Sequence, residues 1–146
     1  MTDKNKDPQS KRMTVDDIVK NSIEVKRSGV DWKKFHAYVY AALKFPKYRL
    51  MRSRDTLFLY EITAPHELRL LTSFNAEKSN KTYFRNVLEF GAAMEKAGFY
   101  RLIAKGITMQ LVRMLESKYP VQYSEIGQSD DGEALYAIEV DIRKNS

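Results

Sequence analysis

The sequence predicts a mixed α/β domain: a single, mostly antiparallel central sheet flanked by about four helices. Three observations lead there. Apolar residues recur at helical spacing in two N-terminal segments, two strand-forming runs meet at a proline turn, and the rest of the chain alternates strand and helix patterns. The order helix, helix, strand, strand, helix, strand, helix, strand, strand is accommodated only by a mixed sheet, with antiparallel hairpins and one strand–helix–strand crossover. At 146 residues the chain has the length of one domain.

Residues 1–13 are polar with almost nothing to bury and read as a flexible arm, leaving 14–146 as the domain. Thr14 with Asp17 three residues on resembles a capping box, and Val15, Ile18, Val19 and Ile23 continue one helix to Ser28–Gly29. Asp31 caps a second helix whose stripe is Trp32, Phe35, Val39 and Leu43, ended by Pro46. Leu57–Thr63 and Leu68–Phe74 are rich in strand formers and flank Ala64-Pro65-His66, the signature of an antiparallel hairpin. After a polar loop over Asn75–Thr82, a helix over Tyr83–Ala97 closes at Gly98. Tyr100–Ala104 follows as a strand, and Thr108 caps a helix that runs to Lys118 before Pro120. Val121–Ile126 and Ala134–Ile142 complete the sheet around a Gly-Ser-Asp-rich turn. The expected core contains Phe58 or Leu59, Leu70, Val87, Leu88, Ile103, Leu111, Leu115 and Ile138.

Composition removes several chemistries. There is no cysteine, so disulfides, Cys-ligated zinc, iron–sulfur clusters and thiol nucleophiles are excluded. His36 and His66 lack metal-ligand spacing, and no metal site is expected. No apolar run reaches a membrane span, and the start has no apolar stretch that could serve as a signal peptide, so a soluble, cytoplasmic protein is expected. The net charge of +6 is unevenly distributed: Lys26–Arg54 holds nine basic residues against Asp31 alone. Lys33, Lys34, Lys47, Arg49, Arg52 and Arg54, interleaved with aromatics, form a candidate surface for nucleic acid or an acidic protein partner, with Arg52 and Arg54 on one side of an extended segment.

The element order, with Tyr100–Gly106, Thr108–Leu115 (ending in Arg113-Met114-Leu115) and Val121–Ile126, resembles the GNAT acyltransferase fold. It is similar also to the small internal virion proteins of short-tailed bacteriophages that share this acyltransferase-like end. The family places glycines before its central helix so that backbone N–H groups can surround the pyrophosphate of acyl-coenzyme A. Here Asn75–Thr82 has none, although Lys78, Asn80 and Lys81 could still attract phosphate. The tyrosine that many members use to protonate the leaving thiolate is replaced by Glu116, leaving Tyr119 or Tyr123 as substitutes. Glu61, alternating along a strand, is the candidate general base.

These departures favour a virion-associated or assembly protein on a degenerate scaffold, without catalysis or cofactor, that binds other proteins and binds coenzyme A weakly or not at all. The alternatives are an N-acyltransferase that uses acetyl-CoA, with Glu61 and Tyr119 catalytic, and a nucleic-acid-binding module. Fold alone does not choose among them.

Overall fold

The computed structural model describes residues 12–143. The arm expected over residues 1–13 lies outside these except for Arg12 and Met13, and Met13 packs against the core. Helix α1, Val15–Asn21, begins with the capping box: Thr14 Oγ1 accepts from the Asp17 N–H, and the Asp17 carboxylate accepts from the Thr14 N–H. The single helix expected over 14–28 is broken at Ser22. This buried residue is extended; its hydroxyl donates to the Val19 carbonyl and accepts from the Val25 N–H, so it closes α1 and caps α2, Ile23–Ser28. Asp31 caps α3, Trp32–Ala42, as expected.

The strands are β1 (Tyr48–Ser53), β2 (Thr56–Ala64) and β3 (Glu67–Asn75), then β4 (Arg101–Thr108), β5 (Val121–Gln128) and β6 (Ala134–Asp141). Helix α4, Asn80–Lys96, connects β3 to β4, and α5, Met109–Glu116, connects β4 to β5. They form one sheet in the order β1-β2-β3-β4-β6-β5. The hairpin of β2 with β3 is antiparallel, and β3 and β4 form the sheet's parallel pair, both as expected. β1 was not expected. Its sequence Tyr-Arg-Leu-Met-Arg-Ser does not alternate, because it is an edge strand whose one neighbour is β2.

Alternation along β2 divides the core. Leu57 and Leu59 face the layer of α1, α2 and α3, with Ile18, Val25, Val39 and Phe74. Phe58 and Tyr60 face α4 and α5, with Phe90, Met94, Val112 and Leu115. Phe58 and Leu59 are therefore both core, and the continuous apolar run reflects a strand covered on both faces. Leu111, Leu115 and Ile138 are buried as expected, whereas Leu70, Val87, Leu88 and Ile103 are half-buried. Among the described residues no helix is long and apolar enough to cross a membrane.

Phe90 is 1% exposed and stacks on Phe58 with centroids 4.6 Å apart. Phe90→Ala is expected to cost about 3–5 kcal/mol in urea unfolding. Leu88→Ala should cost less, since only part of its side chain leaves water on folding.

Candidate active site

The parallel pairing of β3 and β4 lasts for three residue pairs, Glu67 with Arg101, Leu68 with Leu102 and Arg69 with Ile103, although both strands continue well beyond. Each has a bulge just past the split. In β3, Leu59 lies opposite Thr72 and Tyr60 opposite Leu70, which leaves Leu71 as the extra residue. In β4, Ala104 is opposite Ile138 and Ile107 opposite Tyr136, with the extra residue in Lys105-Gly106. Gly106 takes φ +74°, a conformation suited to glycine. Bulges bend a strand and increase its twist, so the two strands diverge.

A cavity of about 500 Å³ fills this wedge. Its walls come from both faces of the sheet: Tyr83, Val87 and Gly91 of α4 with Leu111 of α5 on one side, and Glu24 and Arg27 of α2 on the other. Asp131 and Glu133, between β5 and β6, line one end of it. The inner edge of β3 has no strand beside it past Arg69. Its backbone N–H and C=O groups point alternately into the wedge, as the Asn75 N–H does in donating to Glu24 Oε1 at 2.8 Å.

At the wide end, α4 starts at the Ser79 cap, whose hydroxyl accepts from the Thr82 N–H. The amides of Asn80 and Lys81 open the helix without intrahelical partners, and no acidic residue occupies its first turn. Asn80 lines the cavity; Lys78 and Lys81 are exposed beside it. The preceding loop uses its own amides. The Asn75 N–H goes to Glu24, the Ala76 N–H to the Asp55 carbonyl and the Glu77 N–H to Asn75 Oδ1.

Tyr119 lies in the cavity wall and is 4% exposed, and among the described residues its hydroxyl has no hydrogen-bond partner. A Cβ placed on Gly91 would come within 3.0 Å of that oxygen, so the glycine makes room for the phenol. Burial first, and then the Glu95 carboxylate, push the Tyr119 phenol above its ordinary value, so it stays protonated at neutral pH. Glu61, expected as a base, lies outside the cavity. It accepts from Arg69 at 2.5 Å and pairs with Lys47 at 3.3 Å, and the Arg69 hydrogen bond above all holds its carboxyl below the usual range. Such a carboxylate is a poor proton acceptor.

The basic residues do not share one surface. Arg49 alternates with Leu50 and lies on the α4 side with Met51, whereas Arg52 lies with Leu50 on the α3 side. Arg52 is tied to the Asp55 carboxylate and the Arg54 carbonyl. Arg54 is in the β1–β2 turn at φ +51° rather than in a strand beside Arg52. Lys33 and Lys34 are exposed on α3. Glu24 and Arg27 were not expected at the site. A glutamate in a helix normally reads as solvated, and the pattern of α2 gives no sign that the split sheet exposes its flank to a cavity.

No family model matches the sequence, and no curated protein matches it. Solved structures do match. The ribosomal-protein-S18-alanine N-acetyltransferase of Escherichia coli superposes with TM-score 0.52 at 14% identity, over 80% of each chain. The Salmonella typhimurium protein yncA, solved with its cofactor acetyl-CoA, gives 0.52 at 12% identity over 80% of this chain and 77% of that one. An uncharacterized protein from Bacillus halodurans gives 0.58 at 9% identity over 89% and 81%. The fold is that of the GNAT acetyltransferases. The expectation of a non-catalytic virion scaffold is corrected by these neighbours, since one is an N-acetyltransferase and another holds acetyl-CoA, and the phage resemblance finds no support among them.

Because a lowered folded-state pKa contributes stability that is present at neutral pH and lost on acidification, Glu61 supports the fold above about pH 4.3, its ordinary value. Glu61→Gln should flatten the acid side of a stability–pH curve while leaving any acetyl-transfer rate within about twofold. A large fall in rate would restore it as a catalytic group.

Proposed function

We propose that the chain is an N-acetyltransferase that takes acetyl-CoA as donor and a primary amine as acceptor, with the split between β3 and β4 as the reaction site. The observation that carries this reading is the wedge-shaped cavity, which runs through the sheet beside an unpaired strand edge and ends at a helix start. The residues fit such a donor. The open edge of β3 offers alternating N–H and C=O groups on which an extended amide-bearing arm can lie as a partial strand. The α4 start, with Asn80, Lys78 and Lys81, gives its phosphates N–H donors and positive charge without a glycine cradle.

Acetyl-CoA, when bound, supplies an activated thioester. The protein holds that thioester in the wedge, shields it from water and gives the acceptor a separate approach from the β5–β6 turn. Asp131 and Glu133 give that end of the cavity negative charge suited to an alkylammonium. Tyr119 Oη, protonated and unpartnered, is the group that donates a proton to the leaving sulfur as the C–S bond breaks and the amine nitrogen bonds the acetyl carbon, and the proton that the amine gives up restores the phenol.

Two measurements test this reading. Acetyl-CoA should raise the melting temperature, with about 2.7 kcal/mol of stabilisation at 100 times its dissociation constant. Tyr119→Phe should lower kcat by about 10²-fold or more while leaving stability unchanged or higher, because it deletes a buried hydroxyl that has no partner. An unshifted melting temperature would remove the donor from the proposal, and full activity in Tyr119→Phe would remove the acid.

A further inference from the structure

The Glu24 carboxylate takes up a position in the wedge that a donor would be expected to need. It reaches from α2 to the inner edge of β3 and accepts from the Asn75 N–H at 2.8 Å. This is the last β3 amide directed into the wedge before the chain turns to the α4 start. A donor lying along that edge, with its thiol end at the split, brings its anionic end to this place. Several charged and titratable groups share the cavity with Glu24. Arg27 is one turn along the same helix, Tyr83 faces it from α4, Asp131 and Glu133 line the cavity from the β5–β6 turn, and Lys105 of β4 and Tyr119 line it as well. Arg27 is also drawn towards Asp131, so Glu24 does not have that cation to itself.

We infer that Glu24 is a specificity-determining residue for the donor: its carboxylate occupies the anion position at the end of the β3 edge, so an anionic donor binds only by displacing it. This rests on the acetyl-CoA reading and goes beyond it by naming a group that works against the donor's charge. Burial raises the Glu24 carboxyl above the usual range, opposed by the Asn75 N–H, which accords with a charge held there at some cost and readily given up. The same geometry accounts for the loop that follows. The Ala76 N–H is bonded to the Asp55 carbonyl and the Glu77 N–H to Asn75 Oδ1 beside it, whereas the partner of the Asn75 N–H comes from a different helix and can leave without disturbing the loop.

The test uses coenzyme A as the anionic probe and pantetheine as its uncharged arm, titrated calorimetrically into the parent protein, Glu24→Gln and Glu24→Asp. Glutamine keeps an oxygen for the Asn75 N–H, so the fold and melting temperature should hold. Glu24→Gln should bind coenzyme A about tenfold more tightly and pantetheine within twofold of the parent. Glu24→Asp retains the charge and should not show the tightening. If Glu24→Gln leaves coenzyme A affinity unchanged, or weakens both probes alike, Glu24 is a strut and the inference fails while the donor reading stands. Equal tightening in Glu24→Asp would also overturn it, since charge would then not be the cause. If neither probe binds any of the three proteins, the donor reading falls and this inference falls with it.

Discussion

The parallel contact between β3 and β4 is the constraint on which the rest of the structure depends. Three residue pairs hold the two halves of the sheet together, and then the strands separate. Had the pairing continued to Asn75 and Thr108, the edge of β3 would be spent on backbone bonds and no cavity could pass through the sheet. The split needs a cause in the sequence. The extra residues at Leu71 and in Lys105-Gly106 supply it, placed just beyond the last paired residues and bending each strand within an otherwise regular sheet.

An opened sheet exposes backbone groups and has to be held open. On the α4 side this is done by a buried polar network rather than by apolar packing alone. Asn86, fully buried in the middle of α4, donates to Thr56 Oγ1 at 2.9 Å and to Glu77 at 2.8 Å. Glu77 also receives the Asp55 N–H, and the Ser53 hydroxyl reaches Asn86 and Glu89. The network fastens the first half of α4 and the loop before it to the β1–β2 turn, so the helix start keeps its place at the wide end of the wedge. Satisfied networks of this kind fix one geometry, because each partner lost leaves a buried polar group unpaired.

Most of the architecture was legible in the sequence because it depends on local rules. The Thr14 capping box, the Asp31 and Thr108 caps, the Pro65 hairpin and the helical stripe of α4 each specify an element within a few residues. Ser22 shows where such reading stops. Its neighbours continue an apolar helical pattern, and only its burial allows its hydroxyl to compete with the backbone on both sides. β1 was hidden for a related reason, since an edge strand tied to its sheet on one side need not alternate cleanly, and its two arginines read as part of a charge block. The missing glycines in Asn75–Thr82 were visible, but their consequence was not. It depends on which internal groups take the loop's amides, and two of these, Glu24 and Asp55, are far away in sequence.

That last point bears on how one scaffold can keep or change a chemistry. A phosphate cradle made of glycines works by leaving backbone N–H groups free and approachable, and a glycine-free loop must bond those groups elsewhere. Here the protein's own carboxylate and carbonyls do so, and in the proposed function anion binding then falls to the α4 start and its flanking lysines. In the proposed function the thioester end of the wedge needs none of this. It is built from the strand split and from Tyr119 against Gly91, and neither contact involves the altered loop. For the donor site proposed above, the absence of glycines therefore bears on the anion-binding half and leaves the half where bonds would be made undisturbed, so the motif alone is no measure of both.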